Sequence, residues 1–156
     1  MSRVLNSAGE AVADIYHPLA DEAALPGDLA VIVSHARWLA QGDVLSASAQ
    51  LVALQLPNTL DVGKLGAAEL TLPMFVLEFP TFADGRAYSQ ATLLRQHGYQ
   101  GVLRATGAAV VADQLLMLKR CGIDEFDVRA DQLVSGLIDV LQRPAAACYQ
   151  PGLQGR

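Results

Sequence analysis

Seven residues of this chain could do chemistry, and all lie where an apolar run hands over to a helical pattern: Asp84, Arg86, Arg104, Thr106, Gly107, Asp113 and Gln114. Asp84 closes the loop Phe79–Arg86, which leaves a strand-like run. A carboxylate there can cap the next helix or act as a general base. Arg86 falls in the first helical turn, where a cation opposes the helix dipole and needs a carboxylate or an anionic ligand beside it. Arg104 follows Val102 and Leu103 in an apolar strand. A buried guanidinium must be paired, and Asp84, Glu78 and Asp113 are candidate partners. Alternatively, Arg86, Arg104, Thr106 and Gly107 form an anion site, with backbone N–H groups at a helix start completing it. If the chain is an enzyme, Asp84 and Asp113 are the candidate catalytic carboxylates.

Other site chemistries lack their signatures. Gly63-Lys64 resembles the end of a phosphate-binding loop, but Asn58 stands where the first glycine is required and Leu65 follows the lysine. No G-x-G-x-x-G follows a strand. His17, His35 and His97 are scattered, and Cys121 and Cys148 match no zinc or redox spacing. No metal and no cofactor is therefore expected.

The elements that must position these residues can be read from periodicity. Arg3–Leu5 and Ala11–Tyr16 flank a glycine turn and predict a short N-terminal hairpin. Residues 17–28 read as a loop. Strands are predicted over 29–33, 50–56, 74–79, 101–105 and 124–128, with an edge strand over 145–149. Ser34 is placed to cap a helix through Ala40, closed by Gly42. A weak helix is expected around 60–65. The helix over 86–97 carries Ala87, Ala91 and Leu94 on one stripe, with Gly98 beyond its end. The next is predicted from Thr106 or Gly107 through Arg120, and the last from an Asp131 cap to Pro144.

Short strands alternating with one-face helices predict an α/β fold. We expect a single domain over 1–150, a mainly parallel sheet of about five or six strands, and a frayed tail over 151–156. The period suits either an open doubly wound sheet or part of a barrel. A hydrophobic fraction of 52% with 17% charged residues predicts a core-rich folded domain. The net charge of −5 and the lack of a basic run argue against nucleic acid or an anionic membrane as partner. Residues 1–10 carry no apolar signal segment, and a cytoplasmic, reduced protein is expected. Oligomeric state has no signature.

Several stretches together resemble a known family. They are Phe79-x-x-Phe82-x-Asp84-Gly85-Arg86-x-Tyr88-Ser89-x-Ala91-x-x-Leu94-Arg95, then Gly101-x-Leu103-Arg104-Ala105-x-Gly107, then Asp113-Gln114, then Arg120-Cys121-Gly122-x-x-x-Phe126. The set is similar to the bacterial domain-of-unknown-function family 934, labelled as oxidoreductases involved in sulfite reduction. Val102 departs from the Glu that family members often carry, and the interval from Gly107 to Asp113 is a residue longer. The resemblance implies a cytoplasmic accessory protein of assimilatory sulfite reduction that binds sulfite reductase, a small oxyanion, or both. It brings no proven catalytic residue, and no cofactor motif supports the oxidoreductase label. Two other readings stand beside it: a small enzyme acting on an anionic substrate through the Asp and Arg residues above, and a purely structural subunit or scaffold.

Overall fold

The computed structural model describes residues 3–144. The predicted edge strand over 145–149, Cys148 and the tail over 151–156 lie outside them. Eight strands form one mixed, curled sheet: β1 (Arg3–Asn6), β2 (Ala11–Val12), β3 (Tyr16–Pro18), β4 (Ala30–Ser34), β5 (Val52–Leu56), β6 (Met74–Glu78), β7 (Val102–Thr106) and β8 (Glu125–Val128). Five helices connect or follow them: α1 (His35–Ala47), α2 (Ala67–Leu70), α3 (Arg86–Gln96), α4 (Leu115–Arg120) and α5 (Val134–Gln142). The expectation of five or six strands is corrected upward. The hairpin joins the sheet, because β1 pairs antiparallel with β8. Tyr16, read as the end of the hairpin, and residues 17 and 18, read as loop, pair parallel with β4. Their Tyr-His-Pro sequence carries no strand signal beyond Tyr16.

Strand order is β2-β1-β8-β7-β6-β5-β4-β3, so β3 to β8 sit side by side in chain order, all parallel. The two edge strands, β2 and β3, are separated in sequence by only Ala13, Asp14 and Ile15. Four residue steps reach at most roughly 14 Å. Laid flat, eight strands would put those edges more than twice as far apart, at about 4.8 Å per strand. The sheet must therefore curl until its edges nearly meet across this bridge, which decides for barrel-like curvature over an open sheet.

The curl gives the sheet an outer and an inner face, and side chains alternate between them. The outer side chains Val31, Val33, Leu54, Phe75, Leu77, Leu103, Ala105 and Phe126 share one core with the helices. The predicted stripe of α3, Ala87, Ala91 and Leu94, is fully buried in it. A fully buried Leu or Phe contributes roughly 1.5–3 kcal/mol by leaving water. The inner face has a smaller cluster of Ile32, Ala53, Met74 and Val76, with Tyr16 and Val102 against it.

Local signals explain most element ends. The Ser34 side chain accepts from the Arg37 N–H and caps α1 as predicted. The helix then continues beyond Gly42, bending at Gln41 (φ −134°, ψ 21°) and ending at Ala47. The weak helix over 60–65 is a 3-10 turn at Val62–Lys64, capped by Asp61. The largest departure is α4, which starts at Leu115 and not at Gly107. Gly107 has φ +113°, outside the helical range. The chain after it turns into the core as a loop, with Ala109 and Val110 fully buried and the Ala109 N–H donating to the Phe79 carbonyl (3.2 Å). Asp131 does not cap α5 but pairs with Arg129, and the helix begins after Leu133.

Candidate functional site

Few polar side chains occur in the apolar central strands: Gln55 in β5, Glu78 in β6, and Arg104 and Thr106 in β7. Alternation turns each of them inward, away from the helices. The register aligns Val76 with Arg104 and Arg104 with Glu125, and Glu78 with Thr106. The inner face therefore has two polar levels. One lies inside the curl around Arg104. The other lies at the carboxyl ends of the strands, formed by Ser34, Gln55, Glu78 and Thr106, where parallel α/β proteins place their ligands.

Arg104 is 3% exposed. Its Nε and Nη2 contact Glu125 Oε2 at 2.9 and 2.8 Å, and its Nη1 donates to Asp14 Oδ1 at 3.0 Å. Tyr16 places its ring 5.9 Å from the guanidinium carbon. Burial works against the charge on Arg104, but hydrogen bonds to Glu125 and Asp14 outweigh it, and the arginine is held more firmly protonated than usual. Burial also pushes the Tyr16 phenol up, against the pull of the Arg104 cation. The partners are thus Glu125 and Asp14, not Asp84, Glu78 or Asp113. Asp14 lies in the bridge between β2 and β3, so this ion pair holds the bridge over the inner face.

Asp84 and Arg86 form a separate pair outside the curl. Arg86 donates from Nε and Nη2 to both oxygens of Asp84, at 2.9, 3.2 and 2.6 Å. The Arg86 N–H also donates to Asp84 Oδ1 at 3.1 Å, and Asn58 Nδ2 donates to its Oδ2 at 2.7 Å. Hydrogen bonding from the Arg86 side chain, then from its backbone, holds the Asp84 carboxyl well below the usual carboxylate range. A carboxylate held that way is a weak base. Arg86 meets the unfavourable helix dipole through this pair, the carboxylate arm of the sequence expectation.

The remaining expected residues are placed as follows. Thr106 Oγ1 donates to Asp127 Oδ2 at 3.3 Å. Gly107 stands against the backbone of Phe79: a Cβ there would lie 2.8 Å from the Phe79 carbonyl carbon. Its neighbouring N–H groups serve a loop and not a helix start, because α4 begins eight residues later. Asp113 is exposed on that loop. Gln114 accepts from the Tyr88 hydroxyl at 2.7 Å. Among the described residues, no hydrogen bond or ion pair joins Asp84 and Arg86 to Arg104. No three His, Cys, Asp or Glu side chains among the described residues converge to hold a metal.

Of the carboxyl-end level, sequence reasoning named Thr106 as an anion ligand and Glu78 as a partner for Arg104, but passed over the Gln55–Glu78 pair and its pocket. Gln55 Nε2 donates to Glu78 Oε1 at 2.5 Å, and Ser34 Oγ donates to Asp21 Oδ1 at 2.6 Å. A pocket of 550 Å³ opens here between the ends of β3, β4, β5 and β6 and the start of α1. The signal was available: a polar residue at or near the end of each apolar strand, facing the side away from the helices.

No curated protein and no solved structure matches the chain. Residues 40–156 match the model of the family described as "Bacterial protein of unknown function (DUF934)". The match takes in β5 to β8, and with them Gln55, Glu78, Asp84, Arg86 and Arg104; Asp14 and the strands β1 to β4 precede it. It covers well over half of the sequence, and the chain belongs to this bacterial family of unknown function.

Proposed function

We propose that this chain is a cytoplasmic accessory protein of assimilatory sulfite reduction, and that it acts by binding sulfite reductase rather than by gripping sulfite. The process and the partner come from the resemblance carried by the Phe79–Arg95 and Gly101–Gly107 motifs. The choice between partner and anion rests on one observation: both candidate arginines are already neutralised within the chain. Arg104 is enclosed by Asp14 and Glu125, and Arg86 by Asp84. An oxyanion at either would have to displace a carboxylate that is covalently part of the fold. By contrast Phe82, within the loop motif, is 61% exposed. An exposed aromatic ring is the kind of side chain that anchors a protein interface.

Two measurements test the proposal. Sedimentation velocity of the chain mixed with sulfite reductase should show a complex that Phe82→Ala weakens. Calorimetric titration with sulfite, sulfate and phosphate should give no heat at millimolar concentration. Failure to form the complex refutes the partner reading. Sulfite heat that disappears in Arg104→Gln would instead establish the oxyanion reading at Arg86, Arg104, Thr106 and Gly107.

A further inference from the structure

The pocket at the carboxyl ends of the strands has a definite chemical polarity. Its size, 550 Å³, is in the range of small-molecule sites, about 300–1,000 Å³. Leu19, Ile32, Leu39 and Pro57 supply apolar walls, and Leu39 is 70% exposed when nothing lies against it. Among the polar groups, Ser34 is already engaged: its hydroxyl donates to Asp21 and accepts from the Arg37 N–H. Gln55 donates its amide nitrogen to Glu78. That bond fixes the amide, leaving Gln55 Oε1 as an acceptor and Glu78 Oε2 as a second one. Neither oxygen is buried without a partner, so both are open to the pocket or its solvent. No Lys or Arg lines the cavity, and His35 is its remaining titratable side chain.

The geometry points to a binding site for a small organic ammonium ion with an apolar body, in which Glu78 is the counter-ion and Gln55 the second acceptor. The site offers acceptors and negative charge at its polar end, so the ligand must bring donors and positive charge. Sulfite and other anions would meet Glu78 with like charge. The apolar walls favour a carbon chain or ring over a bare metal ion or ammonium. The inference does not depend on the sulfite reductase partnership, and either can fail alone.

The test uses n-hexylamine, n-hexanol and hexanoate, matched in length and different in charge. The readout is the NMR spectrum of the full chain, following the Gln55 side-chain amide and the methyls of Ile32 and Leu39. Hexylammonium should give saturable shifts confined to these groups at millimolar concentration, hexanol weaker ones, and hexanoate none. Glu78→Gln keeps the shape of the side chain and its contact with Gln55. It should weaken hexylammonium by about tenfold or more, the loss of one charge-assisted contact, while hexanol is unchanged. Absence of saturable shifts with hexylamine overturns the proposal. So does equal binding of hexanoate, or an amine affinity unaltered in a folded Glu78→Gln protein.

Discussion

Replacing Arg104 with Met would remove a cation from between two carboxylates and leave them facing each other inside the curl. The arginine side chain is 4% exposed, Asp14 17% and Glu125 15%, so water can do little to solvate the orphaned charges. Breaking a buried pair by removing one partner costs about 3–5 kcal/mol. For a chain of this length that is a fall in melting temperature of roughly 6–20 °C, at about 2–4 °C per kcal/mol. Urea unfolding, followed by far-UV circular dichroism with an unchanged slope, measures the loss directly. The cause is separable from simple loss of packing. The triple variant Arg104→Met, Asp14→Asn, Glu125→Gln has the same apolar replacement but no unpaired charge, and it should recover most of the stability. A loss below about 1 kcal/mol in the single variant would mean that the site behaves as an exposed ion pair. A triple variant no more stable than the single would show that charge is not what the site balances. Either result refutes the reasoning.

Gly107→Ala should destabilise by at least about 1–3 kcal/mol for the positive φ alone. The new methyl would also press on the Phe79 carbonyl, and chemical denaturation reads the sum. Arg86→Gln should leave the unfolding midpoint nearly unchanged, because the Arg86 side chain is largely solvent-exposed and Asp84 keeps its bonds from Asn58 and from the backbone N–H of residue 86. The same substitution should return the Asp84 carboxyl toward its ordinary titration range, seen by carbon-13 NMR against pH. The sign follows from the depressed value: any stability the pair adds is present above the ordinary carboxylate value of about 4 and is lost as pH falls through the lowered one.

What could be read from the sequence were features encoded locally. The apolar runs of β4 to β8, the Ser34 cap, the α3 stripe and the glycines ending α3 and α4 all sit within one turn of what they control. Gly98 and Gly122 have positive φ, as expected after a helix. The start of α4 was misread because Val111 continues the helical spacing of Leu115 and Leu118, while tertiary burial draws Ala109 and Val110 into a loop. The partners of Arg104 were illegible for a different reason. Asp14 is 90 residues away, in an extended bridge with no periodicity of its own. Glu125 becomes a neighbour only once β7 and β8 are in register. The carboxyl-end pocket was missed because Gln55 and Glu78 look like ordinary strand-end polar residues until the pairing of β5 with β6 sets them side by side on the inner face.

The three-residue bridge also sets an order of assembly. Strands β4 to β8 pair with their sequence neighbours, so that part of the sheet can grow by closing short loops one after another. Residues 3–18 cannot join it that way. They must pair with β8 at one edge and β4 at the other, and the β1 to β8 contact spans nearly the whole described chain. Loop-closure entropy makes such a contact slow to form. Until the segment docks, both outer strands of the growing sheet present unpaired backbone, and Ile32, Ala53, Met74 and Val76 lose their cover. Open edges of this kind recruit other chains. The N-terminal segment therefore acts as a clasp whose closing rate, rather than the stability of the closed form, governs how long the newly made protein is prone to aggregate.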